Sequence, residues 1–396
     1  MSRSFEVERW SNWSGRQTDE PKRIVRPSSE LELVAAVTKA ASDGLAIRAV
    51  GASHSHSRVA ATNGLLVDLD GWQGVISTSQ SDQMATVRSG TRIFQLGQPL
   101  HEAGLALRNQ GDIDKQSVAG ATATGTHGTG PNLQNLSSSV LGLRLVTTSG
   151  ELVDCSAELE PALFEVARHS LGGVGLITEL TLALRPRYRL HERLWLEAPD
   201  TVMARIDELI SATRHFEFFW MPQNDKCAVK TLTETDADID PLDELKHERI
   251  GWSHDIISSI RDEKHTEMEY SVPAEAGPAC FMELRQLLLS DFPDLQWPLE
   301  YRTLKSDDIW ISTATGRETV TISAHQDIAL DDRTLFEACE GVFRRYEGRP
   351  HWGKVHYQSG RELAALYPRY SDWWRTRDAH DPEGLFVTPY LESLRP

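Results

Sequence analysis

Apolar and polar positions alternate from Ile24 onward in stretches that switch between the helical and the extended period. Ser29 and Glu32 stand at capping-box spacing, in which the serine oxygen takes a helical amide and the glutamate reaches back. Leu33, Val34 and Val37 then form an apolar stripe, Gly44 is a C-cap, and Leu45 to Val50 reads as a strand, so one helix-strand unit ends at Gly51. Further strands are predicted at Gly64 to Leu69, Met84 to Val87 and Ser139 to Thr147, with a helix at Ile93 to Ala103 closing on Gly104. Between Gln110 and Pro131 glycine recurs among small Ser, Ala and Thr, a text unsuited to an ordinary helix interior.

A helix is predicted at Glu160 to His169, followed by glycine turns that feed a strand ending at Leu184, and Arg185-Pro186-Arg187 reads as a domain exit. Beyond it the pattern becomes strand-rich: Thr266 to Val272, Leu299 to Leu304, Ile309 to Thr313 and Thr319 to His325, with helices at Met282 to Leu289 and Leu335 to Tyr346. The acidic stretch Glu234 to Glu244 reads as a solvated surface excursion. The expected class is α+β, with a first domain over 1–186 and a strand-rich second domain after it.

Composition narrows the function. The chain has 396 residues and a formal charge of −17, which argues against a polyanion partner or an anionic membrane surface. Its 4 cysteines lie far apart, fitting reduced thiols better than disulfides or a zinc site. No stretch approaches the about 18 apolar residues of a membrane span and no apolar leader opens the chain, so the expected location is cytoplasmic.

The standard nucleotide fingerprints are absent: there is no G-x-x-x-x-G-K-[ST] and no G-x-G-x-x-G between strand and helix. Two segments nevertheless offer many backbone amides to one anion, Val50-Gly-Ala-Ser-His-Ser-His-Ser57 and Gly111 to Gly130. The first contains an H-x-H pair, His54 and His56, which also occurs in metal-dependent hydrolases, though His127, His169 and Asp381 do not follow in that rhythm.

Together these segments resemble the sugar-lactone and alditol oxidases of the vanillyl-alcohol-oxidase type FAD superfamily. The family reads G-x-G-H-S-x-S where this chain has Gly51-Ala52-Ser53-His54-Ser55-His56-Ser57, and Q-S-V-A-G-x-x-x-T-G-T-H-G where it has Gln116 to Gly120 and Thr124 to Gly128. Leu171-Gly-Gly-Val-Gly-Leu-Ile-Thr178 is similar to a flavin-contacting L-G-x-L-G motif. The likeness continues through Thr266-Glu-Met-Glu-Tyr270, Glu300-Tyr-Arg302, Arg349-Pro-His-Trp-Gly-Lys354 and Asp381-Pro-Glu-Gly-Leu-Phe386. It covers most of the chain, and L-gulono-1,4-lactone and D-arabinono-1,4-lactone oxidases or dehydrogenases are nearest in character.

The resemblance implies a two-part FAD-binding domain of the VAO/PCMH type, a substrate domain over 187–354 with an antiparallel sheet covered by helices, a carboxy-terminal segment, 355–396, returning to the first domain, and FAD bonded covalently to His54. The implied FAD contacts are Val50, Gly51, Ala52, Ser53, His54, Ser55, His56 and Ser57 in the first segment, with His56 expected to point away and serve structure. In the second they are Gly111, Asp112, Ser117, Val118, Gly120, Ala121, Thr124, Gly125, Thr126, His127 and Gly128, and in the third Gly172, Gly175 and Ile177. Lys354, Arg302, Glu300 and His325 are the implied catalytic cluster, and Asp112 and His351 the implied substrate contacts. Spacing alone would make Glu300 and Arg302 an ion pair on one strand face. The implied reaction is oxidation of a sugar-lactone alcohol, with hydride passing to flavin N5 and electrons to O2 to give H2O2. Gly111 stands where the family controls oxygen access, and alditol oxidation is the alternative. Three departures stand out: Ser53 replaces a glycine, Thr388 replaces an asparagine, and the interval before Thr266 is short.

Overall fold

The computed structural model describes residues 9–243, 247–259 and 262–396; Glu244, the end of the acidic stretch, lies outside them. Helix Glu30–Asp43 starts at Ser29, whose hydroxyl accepts from the Glu32 amide, and Glu32 in turn takes the amide of Ser28 at 2.8 Å. Gly44 ends it in the left-handed region at φ 62°. Leu33, Val37 and Ala40 pack on a parallel sheet ordered Arg23–Val25, Leu65–Asp68, Ile47–Val50.

A second sheet is antiparallel, ordered Leu152–Ser156, Val140–Val146, Leu176–Pro186, Met84–Arg88, Val75–Ser79, with Leu105–Leu107 on the far end of Leu176–Pro186. Helices Ile93–Glu102 and Pro161–Ala167 share its core. The glycine-rich text holds one short helix, Val118–Ala123, which sequence reasoning did not expect: its alanines and Val118 are buried, so packing outweighs the weak propensity of Gly120.

The third sheet has nine strands. Its centre runs Arg189–Glu197, Lys226–Thr235, His215–Met221, Leu299–Leu304, Thr319–Asp327, His265–Pro273, all antiparallel. One face is apolar: Phe216, Phe218, Met268, Tyr270, Tyr301 and Ile322 pack under helices Gly277–Asp291 and Arg333–Arg345. The alternate positions Glu217, Glu267, Glu269, Glu300, Arg302 and His325 are charged or polar, yet buried. They are covered by the glycine-rich segment of the first part of the chain. Within the acidic stretch, Glu234 belongs to strand Lys226–Thr235 and Asp240–Asp243 forms an edge strand.

Ile309 to Thr313, expected as a strand, is a turn. The Asp307 carboxylate takes the Ile309 amide at 3.0 Å and the Ser312 hydroxyl at 2.6 Å, so the buried Ile309 and Ile311 serve a polar-centred loop rather than a ladder. The carboxy-terminal segment packs against the first two sheets. Asp381 accepts from the amides of Leu385 and Phe386, the Leu385 carbonyl accepts from Ile47 at 2.8 Å, and Trp373 and Leu391 enter the second sheet's core. All four cysteines are buried free thiols.

Candidate active site

Strand Ile47–Val50 delivers the chain into the 51–57 loop beside Ser117, and the approach is close enough to demand glycine. A Cβ on Gly51 would lie 2.2 Å from Ser117 Oγ. Ser53 adopts φ 53°, a left-handed conformation natural to the glycine it replaces, and its hydroxyl accepts from the Trp10 indole at 2.9 Å. Among the described residues, the amides of Gly51, Ala52, Ser53, His54 and Ser55 donate to no protein acceptor. They border a cavity of about 970 Å³ whose other walls include Ser117, Gly120, Ala121, Thr124, Thr126, Gly172, Gly175 and Ile177. A row of free amides at the wall of a cleft suits a pyrophosphate. His54 Nδ1 is buried without a partner at the same wall, a free ring nitrogen where the resemblance places the flavin bond. These residues fit FAD.

A second cavity, of about 590 Å³, opens from the first. Its floor is the polar face of the nine-stranded sheet, with Glu267, Glu269, Glu300, Arg302 and His325; its roof is Gly111, Asp112, Gln116, Thr126 and His127. His54, Gln116, Thr126, His351 and Lys354 line both cavities. The sequence-derived cluster is thus brought to one place, joined to the cofactor cleft by Lys354 and His54.

Not every expected contact reaches these walls. Val118 is buried in the second sheet's core. Gly125 and Gly128 are needed for packing, since a Cβ would meet His169 Cε1 at 2.5 Å in one case and the Gln110 carbonyl at 2.1 Å in the other. Ser57 donates to the Trp352 carbonyl, and His56 turns toward Glu267, on the far side of the loop from the cleft. Gly111, Asp112 and His127 line the second cavity and not the first.

Electrostatics organise the floor. Arg302 pairs tightly with Glu269 and stands 3.5 Å from Glu300, so the strand-face pair expected from spacing has a stronger third member. Glu269 also meets His127 Nε2 at 2.7 Å and the Ser323 hydroxyl at 2.8 Å. Lys354 pairs tightly with Glu267. Burial pushes both carboxyls up, but Lys354 and its neighbours for Glu267, and His127 and Arg302 for Glu269, outweigh it and hold each well below the ordinary range. Burial lowers His54 to about 4, with Lys354 adding to it, and lowers His325 to about 4 and His351 to about 3, in both cases against a nearby carboxylate. Asp112 is bridged by Lys230, at 3.4 Å, to Glu217.

Sequence reasoning missed Arg48, which lines the cofactor cleft and donates to the Leu171 carbonyl, and assigned no role to Glu267, Glu269, Glu217 or Lys230. The signal was present in Thr266-Glu-Met-Glu-Tyr270, where glutamates alternate with large apolar residues. Alternation marks two faces without saying that the charged one is covered. The H-x-H pair is not a joint ligand set: among the described residues, His54 belongs to no group of converging metal-type donors, whereas His56 groups with His265 and Glu267.

Residues 180–252 and 242–394 match the model of the D-arabinono-1,4-lactone oxidase family, and residues 21–156 match an FAD binding domain. An L-gulono-1,4-lactone dehydrogenase of Mycobacterium tuberculosis is 35% identical over 97% of this chain and 98% of its own length. The mouse L-gulonolactone oxidase is 24% identical over the whole of both chains. Among solved structures, cholesterol oxidase from B. sterolicum superposes with TM-score 0.85 at 16% identity, covering 100% of this chain and 99% of that one. The 6-hydroxy-D-nicotine oxidase of Arthrobacter nicotinovorans gives 0.75 at 17%, covering 98% of each. The architecture expected from the sequence, an FAD-binding unit of the VAO/PCMH type with an antiparallel substrate sheet, is the one these oxidases share. The chain belongs to the D-arabinono-1,4-lactone oxidase family, as an FAD-dependent oxidoreductase acting on CH–OH groups.

Proposed function

We propose that the protein oxidises an aldono-1,4-lactone at the C2 carbinol, with O2 as the acceptor and the flavin bonded to His54. The observation that carries this reading is the shared wall: Lys354 and His54 border both the amide-lined cleft and the polar cavity. Bound FAD supplies the two-electron acceptor that takes the carbinol hydride and passes the electrons to O2. The chain's own residues handle the hydroxyl and its proton. Arg302 and Lys354 are cations at the floor, placed to stabilise an alkoxide-like oxygen, while Glu300 and Asp112 accept hydrogen bonds from neighbouring hydroxyls. His325 suits the proton acceptor. Its Nδ1 lies 2.8 Å from the Pro298 carbonyl and therefore carries the hydrogen, leaving Nε2 with a lone pair on a ring that is uncharged at neutral pH. Burial of the whole floor excludes water and strengthens each of these interactions.

The test is peroxide formation on adding L-gulono- or D-arabinono-1,4-lactone to the aerobic holoprotein, with an alditol as comparator. Turnover of lactones above alditols is expected; peroxide from alditols alone would reassign the substrate. Acid precipitation reads the linkage. Yellow colour stays in the pellet of the wild type and moves to the supernatant in His54→Ala.

A further inference from the structure

Three imidazoles converge on the carboxylate of Glu267. His56 Nε2 and His265 Nε2 stand 3.7 and 3.8 Å from its Oε2, and His325 Nε2 stands 3.8 Å from its Oε1. The donor atoms of His56, His265 and Glu267 all lie within 4.8 Å of one another, and all three residues are buried. His265 Nδ1 is 3.0 Å from the Glu263 carbonyl, as His325 Nδ1 is 2.8 Å from that of Pro298. A carbonyl has no proton to give, so each Nδ1 carries the hydrogen and Nε2 is the nitrogen that faces the carboxylate. With Nε2 deprotonated, the gap between these nitrogens and the carboxylate can take one cation.

For His265 and His325 the support is of the kind that metal-bound histidines receive, with the distal N–H tied to a backbone carbonyl, whereas His56 Nδ1 is buried without a partner. The spacing agrees. Two ligands at ~2.0–2.1 Å from a tetrahedral ion stand about 3.4 Å apart, so each imidazole needs to approach the carboxylate by only a few tenths of an ångström, and the two imidazole nitrogens lie within 4.8 Å of each other. Two imidazoles and one carboxylate suit a borderline ion and not Mg2+ or Ca2+, which take oxygen ligands. We propose that His56, His265 and Glu267, with His325 beside them, form a binding site for a divalent ion of the Zn2+ class, which competes with Lys354 for the Glu267 carboxylate.

Competition makes the ion an inhibitor. Lys354 is the ammonium now paired with Glu267, and an ion seated on that carboxylate displaces it from the position where it borders the cofactor cleft. The ligands come from the 51–57 loop and strand His265–Pro273, over two hundred residues apart, which is why no spacing along the chain announces the site.

Isothermal titration of the holoprotein with ZnCl2 tests this. The expected result is one saturable ion per chain, with His56→Phe and His265→Asn each weakening it at least tenfold and Lys354→Met tightening it by a similar factor because the competitor is gone. Retained flavin absorbance and a single cooperative melting transition certify that each variant is folded. The gain in Lys354→Met is a change that stray surface binding does not produce. Absence of saturable binding, or affinity indifferent to the two histidine substitutions, or no tightening in Lys354→Met, would overturn the proposal.

Discussion

Ser53 and Gly111 show how much of the chemistry rests on single backbone positions. Ser53 holds a left-handed conformation that costs a non-glycine residue roughly 1–2 kcal/mol, and recovers part of it through the hydrogen bond from Trp10. Ser53→Ala keeps the strain and loses the bond, whereas Ser53→Gly loses the bond and the strain together. The alanine variant is therefore expected to be the less stable of the two, by about 1 kcal/mol in urea midpoint terms, and the reverse order would contradict this. At Gly111, a Cβ would meet the His127 carbonyl at 3.1 Å and Thr126 Cγ2 at 3.6 Å, contacts that a shift of a few tenths of an ångström relieves. Gly111→Ala is expected to fold normally and to slow reoxidation by O2 at least tenfold while leaving turnover with an artificial acceptor near wild type. Equal losses with both acceptors would show that the methyl disturbs substrate instead of oxygen.

At the scale of elements, the capped helix Glu30–Asp43 and the strands around it were legible because caps, stripes and glycines act locally. The nine-stranded sheet was legible in its strands and not in its purpose. Glu300-Tyr301-Arg302 and Thr266 to Tyr270 alternate cleanly, and the ordinary expectation turns the charged face to water. Here the glycine-rich segment covers it, and the proof of that lies in contacts across the chain such as His127 with Glu269. Ile309 to Thr313 failed for the opposite reason: two buried isoleucines imitate a strand, while Asp307, outside the run, dictates a turn. The sheet's charges hold each other in place. Glu269→Gln takes from buried Arg302 its tightest partner and leaves Glu300 at 3.5 Å as the nearest carboxylate, a loss expected to lower stability by about 3 kcal/mol and flavin reduction with it. A urea midpoint unchanged from wild type would show that Glu300 compensates fully.

For the whole molecule, the interface between cofactor unit and sheet is rich in histidines kept uncharged by burial. Folding lowers His169, His215 and His351 to about 3 and His325 and His356 to about 4, against 6.5 for the free side chain. Between those values the unfolded chain binds protons that the folded one does not. Their full contribution to stability is therefore present above about pH 6.5 and drains away as the pH falls toward the folded values, by up to about 1.4 kcal/mol per pH unit for each imidazole. Glu267 and Glu269, held below the ordinary carboxylate range, add a loss of the same sign at still lower pH. The urea midpoint should fall steadily from about pH 7 to about pH 5, and a flat profile would contradict the burial of these imidazoles.

The claim on which the rest depends is that a lactone carbinol on this polar floor gives up its hydride to the adjoining flavin. The most direct measurement is anaerobic mixing of the oxidised holoprotein with L-gulono-1,4-lactone while the flavin absorbance is followed. Bleaching that returns on admitting air, and that slows at least a hundredfold in Arg302→Met, is the predicted result. A flavin that dithionite reduces but neither L-gulono- nor D-arabinono-1,4-lactone does would contradict it.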